Sequence, residues 1–121
     1  MIYLVFLYYL LIESFYFCQN YIQNFLPKGK FVAYLGREGT YTETGFLVFD
    51  MRHNYASEYF ERFKSYYDTN KIYELEAQLD CHVFDAVRIE MEKEGKISNQ
   101  NISPPGITKT HFDQALNGYI A

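Results

Sequence analysis

A chain of 121 residues makes one domain, and 49% hydrophobic residues are enough to give it a real core. The net charge is −4 and the 11 basic residues form no cluster, which argues against nucleic acid as a partner. Cys18 and Cys81 belong to no CxxC pair, and the three histidines show no zinc-ligand spacing. A disulfide scaffold and a structural metal site are therefore not expected, and a reducing, cytoplasmic setting fits.

Residues 1–26 open the chain as MIYLVFLYYLLIESFYFCQNYIQNFL. The first 12 are apolar or Tyr, and Glu13 then interrupts the run. A membrane-spanning helix needs about 20 mostly apolar residues, and a signal peptide needs a basic start that is missing here. The stretch reads as an apolar helix, buried in the core or facing a partner. The alternatives are a helix lying weakly on a membrane surface and a disordered or non-native segment.

Pro27-Lys28-Gly29-Lys30 reads as a turn, Phe31 to Leu35 as a short strand and Gly36-Arg37-Glu38-Gly39 as a loop. The loop lacks both the GxGxxG and the GxxxxGK spacing of a phosphate cradle. Phe46-Leu47-Val48-Phe49 is the clearest strand, and it is expected to be covered on both faces. Its polar ends, Glu43 and Thr44 before it and Arg52 and His53 after it, stand where open α/β sheets carry ligands. A core strand with solvated ends is the plainer account of the same residues.

Apolar positions from Tyr55 to Tyr67 recur at helical spacing, and a second helical pattern runs from Ile72 to Glu94, irregular near Tyr73 and Glu74. Gly95 is the expected stop. From Lys96 the chain turns polar, Pro104-Pro105-Gly106 excludes regular structure, and Phe112 to Tyr119 suits a last short helix. The fold class is α/β, with a small sheet of two or more short strands packed against long helices.

Candidate chemistry rests on carboxylates. Asp80 near the start of the second helix gains from the helix dipole, and a carboxylate there suits a general base towards a sugar hydroxyl. Asp85, five residues on, points about 140° away on a regular helix. Arg37 and Lys30 are the candidates for phosphate contact. His53 can touch a phosphate or sugar oxygen, or pack on the following helix. Cys81 and His82 are immediate helical neighbours, so no nucleophilic pair is expected from them.

The segments GTYTETGFLVFDMRH at 39–53, FKSYYDTNKIYEL at 63–75 and LDCHVFDAVR at 79–88 resemble the later half of GT-A-type nucleotide-sugar glycosyltransferases of phages and bacteria. HFDQALNGYI at 111–120 is similar to the tail of that family. The resemblance implies Asp80 as the group that activates an acceptor. It places Glu43 and Thr44 along the sugar or acceptor side of the cleft, and gives Asp85 a structural role. A complete relative would use Mn or Mg with a nucleotide sugar and a carbohydrate or polymer acceptor. Leu79 stands where the family has His, and no DxD pair occurs. On this resemblance residues 27–121 form an incomplete glycosyltransferase-like region, partnered by a missing first half or by a second copy, and inactive alone. The rival reading is a non-catalytic, aromatic-rich interaction protein, since 13 Tyr and 11 Phe call for a groove or an interface. A small hydrolase ranks behind both, because no spacing sets two acids opposite each other.

Overall fold

The computed structural model describes residues 3–7, 10–13 and 26–103. Within them lie β1 (Tyr3–Leu7), β2 (Leu10–Glu13), β3 (Val32–Leu35) and β4 (Glu43–Asp50). Helix α1 (Ala56–Asp68), a 3-10 turn (Lys71–Glu74), α2 (Asp80–Lys93) and β5 (Gln100–Asn101) follow. The strands make one mixed sheet in the order β2-β1-β4-β3-β5. All neighbours are antiparallel except β3 and β5.

The N-terminal stretch differs from the expected helix wherever it is described. Its first part forms β1 and β2, and β1 runs along β4 from Tyr3↔Asp50 to Leu7↔Phe46. A run of Tyr, Leu, Val, Phe and Ile has no polar face to orient a helix, and periodicity cannot separate a buried helix from a buried strand. The side of β4 away from β3 presents backbone N–H and C=O groups that need partners, and β1 supplies them. The remainder of 1–25 and the expected helix at 112–119 lie outside the described residues. No helix among the described residues is long and apolar enough to cross a membrane.

β4 is buried on both faces, as its sequence predicts: Leu47, Val48 and Phe49 are 7%, 0% and 5% exposed. Leu47 and Phe49 face the helices, in a core with Phe31, Val32, Tyr59, Tyr66, Val83, Phe84, Val87 and Met91. Val48 and its partner Ala33 face the other way, with Leu26. The rings of Phe31, Phe49, Tyr59 and Phe60 gather within 5.0–6.3 Å of one another, in tilted and edge-on pairs. Such pairs add stability beyond the area they bury. These aromatic rings of the described residues are therefore core. Tyr59 is fully buried, its hydroxyl donates to the Phe84 carbonyl at 3.4 Å, and burial pushes its phenol well up.

The second helix begins later than its pattern predicts. Leu79 is extended (φ −115°, ψ 149°), so α2 starts at Asp80, and only the 3-10 turn precedes it. Gly95 ends α2 with φ +74°. The Gly95 N–H reaches the Glu92 carbonyl at 3.0 Å and the Lys96 N–H reaches that of Met91 at 3.0 Å. That is a Schellman close, which needs a left-handed residue at this point and so favours glycine.

One irregularity in β4 shapes the site. Tyr34 pairs with Leu47, but Leu35 pairs with Glu43, so Thr44–Phe46 bulge away from β3. Gly45 in mid-strand is the sequence trace of that bulge.

Candidate functional site

The loop from Gly36 to Thr42 joins β3 to β4 and is tied down by one side chain. Arg37 donates Nε to the Tyr41 carbonyl at 2.5 Å and Nη2 to the Thr42 carbonyl at 3.1 Å. Its Nη1 pairs with Glu43 at 3.4 Å, and the side chain is 8% exposed. Glu43 spends its other oxygen on the Gly45 N–H at 2.9 Å, across the turn of the bulge. Arg37 thus acts as a staple for its own loop, and Glu43 as the counter-charge of that staple. Neither is poised as an open phosphate ligand or an open base.

Thr44 and Asp80 do come together, with Thr44 Oγ1 donating to Asp80 Oδ1 at 3.2 Å. Asp80 is exposed, at the first residue of α2. No hydrogen bond or ion pair joins Glu43 to Asp80 among the described residues. His53 stands beyond the far end of β4, roughly 20 Å from Glu43 at the rise of a strand. Its Nδ1 accepts the Tyr55 N–H at 3.1 Å, and its ring packs edge-on to Phe31 at 5.4 Å. His53 thus contacts Phe31 and the backbone just before α1. Lys30 donates to Ser98 Oγ at 2.6 Å, bracing the chain next to β5.

Cys81 and His82 meet, contrary to the expectation for helical neighbours: Sγ lies 3.3 Å from Nδ1. Cα–Cβ vectors on adjacent residues diverge, but the imidazole swings back towards the sulfur. The ring lies over Tyr41 at 3.6 Å, and the Tyr41 hydroxyl donates to Glu76 at 2.9 Å. Burial first, and then the Asp80 charge, push the Cys81 thiol up. It stays a thiol at neutral pH, which is the wrong form for a nucleophile.

A concavity opens elsewhere. A cleft of about 640 Å³ lies between the Gly36–Thr42 loop, the outer side of α2 and the start of the C-terminal stretch. Tyr34, Thr40, Asp85, Arg88, Ile89 and Asn101 are on its wall, and Arg37 is there too. Glu43, Thr44, Asp80 and His53 do not line it. Asp85 is the anchor. It is 6% exposed, accepts the Thr42 N–H at 2.8 Å and the Thr42 hydroxyl at 2.6 Å, and pairs with Arg88 at 3.2 Å. These contacts fix the loop to α2.

Arg88 also pairs with Glu92 at 3.0 Å and lies 4.4 Å over the Tyr34 ring. Burial opposes its charge, but Tyr34, Glu92 and Asp85 together hold the guanidinium above its ordinary value. Asn99 links this cluster to the sheet, donating to Glu92 at 2.7 Å and accepting the Val32 N–H at 3.2 Å. Arg88 Nε and Ser103 Oγ are buried with no partner among the described residues, and both residues line the cleft. On the wall the guanidinium groups of Arg37 and Arg88 stand with the carboxylates of Glu38 and Asp85, while Glu43 and Glu92 pair with them from outside the lining. The cleft is polar but has no surplus of positive charge. No group of three or more His, Cys, Asp or Glu among the described residues is arranged to hold a metal.

Sequence reasoning passed over Tyr34 and Arg88 and met Asn101 only as part of the glycosylation-acceptor pattern Asn101-Ile102-Ser103. The available signal was the Asp85–Arg88 spacing of three, a pair set into an otherwise apolar helical series. Compared with known proteins, the chain matches no family model, no curated protein and no solved structure.

Proposed function

We propose that this chain is a saccharide-binding α/β unit of the glycosyltransferase-like kind, holding a neutral sugar in the cleft beside Arg88 and performing no transfer by itself. The observation that carries this reading is the charge-compensated polar cleft, walled by the Tyr34 ring and by amide and hydroxyl groups. Its size falls within the range of small-molecule sites, roughly 300–1,000 Å³. Sugars are bound by such mixtures of ring faces and neutral hydrogen-bonding groups. A nucleotide diphosphate would bring negative charge up to carboxylates that already hold both guanidinium groups, a like-charge cost with no compensating cation.

Thr44 and Asp80, which the resemblance sets beside an acceptor, stand apart from this cleft. Glu43 is held by Arg37 and the Gly45 N–H, and Asp80 is exposed and bonded to Thr44, which supports binding over chemistry. Calorimetric titration of the full chain with neutral mono- and disaccharides, and with UDP and GDP with and without Mn, tests the proposal. Saturable heat with a saccharide and none with the nucleotides is expected. Nucleotide binding without saccharide binding would refute it.

A second reading keeps the chain as an interaction module. It is favoured by Tyr67, Tyr73 and Leu79, which expose apolar surface at 44%, 71% and 55% around the junction of α1, the 3-10 turn and α2. Serine at Tyr73 and Leu79 would then reduce self-association in light scattering and leave saccharide binding intact.

A further inference from the structure

β5 consists of Gln100 and Asn101 alone, laid parallel to β3 with Tyr34↔Asn101 in register. The Ile102 N–H completes the pairing on the Tyr34 carbonyl at 2.9 Å. This places the Asn101 side chain over the start of the cleft loop. Its Oδ1 accepts two backbone N–H groups, from Gly36 at 3.1 Å and from Ser103 at 3.0 Å. An amide oxygen has two lone pairs, and both are used. The amide orientation follows from this network, since the reverse setting would face an NH₂ group against two N–H donors.

Gly36 makes the arrangement fit. A Cβ there would stand 2.4 Å from Asn101 Nδ2 and 3.0 Å from Cγ. With Oδ1 fixed, the NH₂ group is the part that this exposed side chain presents as a donor at the cleft wall.

Resting on the saccharide reading, we infer that Asn101 is the specificity-determining residue of the cleft, and that it recognises a carbonyl oxygen of a neutral ligand, such as the acetamido group of an N-acetylated sugar. The Asn101 NH₂ group only donates, so its counterpart must accept. The carboxylates around Arg37 and Arg88 disfavour an anionic acceptor. A carbonyl is a neutral acceptor with two lone pairs and no proton of its own, and an amide carbonyl accepts more strongly than the hydroxyl and ether oxygens that every sugar carries.

The test compares N-acetylglucosamine with glucose on the full chain and on Asn101→Asp. The variant keeps the volume and the oxygen that holds Gly36 and Ser103, and loses both donors. Binding of N-acetylglucosamine should fall about tenfold or more, the equivalent of about 1.4 kcal/mol. Glucose should lose less, because a hydroxyl can turn and donate to the new carboxylate. The Asn101 side-chain NH₂ resonances of the parent chain should move on addition of N-acetylglucosamine. Equal affinity of parent and variant for N-acetylglucosamine, with those resonances unmoved, would overturn the role of Asn101 and leave the saccharide reading standing. Failure of the parent chain to bind either sugar would overturn both. Gly36→Ala is the independent check: it displaces the amide without adding charge and should weaken N-acetylglucosamine binding as well.

Discussion

Replacing Asp85 by Ala should be the most damaging single polar change in the described structure. Asp85 is 6% exposed and accepts from the Thr42 N–H, from the Thr42 hydroxyl and from Arg88. Truncation strands two buried donors of Thr42 and leaves Arg88 to Glu92 alone. An unsatisfied buried polar group costs about 1–3 kcal/mol, and breaking a buried ion pair from one side costs about 3–5 kcal/mol. These descriptions overlap, so the loss should be about 3–5 kcal/mol, against a whole-domain stability of about 5–15 kcal/mol. At several degrees per kcal/mol, the thermal midpoint should fall by roughly 10–25 °C. Asp85→Asn keeps an acceptor for the Thr42 N–H and should lose less than half as much. Urea unfolding followed by far-UV circular dichroism gives both values. A loss below about 1 kcal/mol for Asp85→Ala would mean that the loop is not anchored through this carboxylate.

Other changes separate structural from functional roles. Gly36→Ala places a methyl group 2.4 Å from the Asn101 amide, and overpacking of this kind should cost about 1–3 kcal/mol in chemical denaturation. Arg62 binds Glu58, Glu90 and Glu94 at 2.6–2.7 Å and so ties α1 to α2, while Lys96 joins at Glu58 and Glu94. The hydrogen bond from Arg62, then that from Lys96, holds the Glu94 carboxyl down to about 2 from an ordinary 4.5. A carboxyl depressed by folding stabilises the fold fully above its unfolded value, and that stability is lost as pH falls towards its folded value. Thermal midpoints of the parent chain should therefore fall between about pH 4.5 and pH 2, and Arg62→Met should flatten that slope. Asp80→Asn should leave saccharide affinity unchanged in calorimetry, because Asp80 lies outside the cleft wall.

Those parts of the fold that rest on local pattern were legible. Phe46–Phe49 announced a strand buried on both sides because a four-residue apolar run between charges leaves little else. The helix at Ala56–Asp68 and the stop at Gly95 followed from spacing and from the left-handed position that Gly95 fills. Residues 3–7 and 10–13 form strands where a helix was expected, because the run has no polar face to orient a helix and the open side of β4 asks for strands. The start of α2 was misplaced because nothing local marks Leu79 as extended.

The site was harder to read for a different reason. Arg37 looked like a free cation, yet the carbonyls of Tyr41 and Thr42 take its donors, and only the curl of the loop brings them within reach. Asn101 lies 65 residues from Gly36 in the chain, and the parallel return of β5 is what joins them. Composition carries no trace of such a pairing.

The central claim is that ligand enters beside Arg88 and Asn101, not between Glu43 and Asp80. Two-dimensional amide NMR of the full chain, titrated with N-acetylglucosamine, tests it most directly. Resonances of 36–42, Arg88 and Asn101 should move together and saturate, while those of Asp80 and His53 stay in place. Shifts centred on Thr44 and Asp80, or no shifts at any sugar concentration, would contradict it.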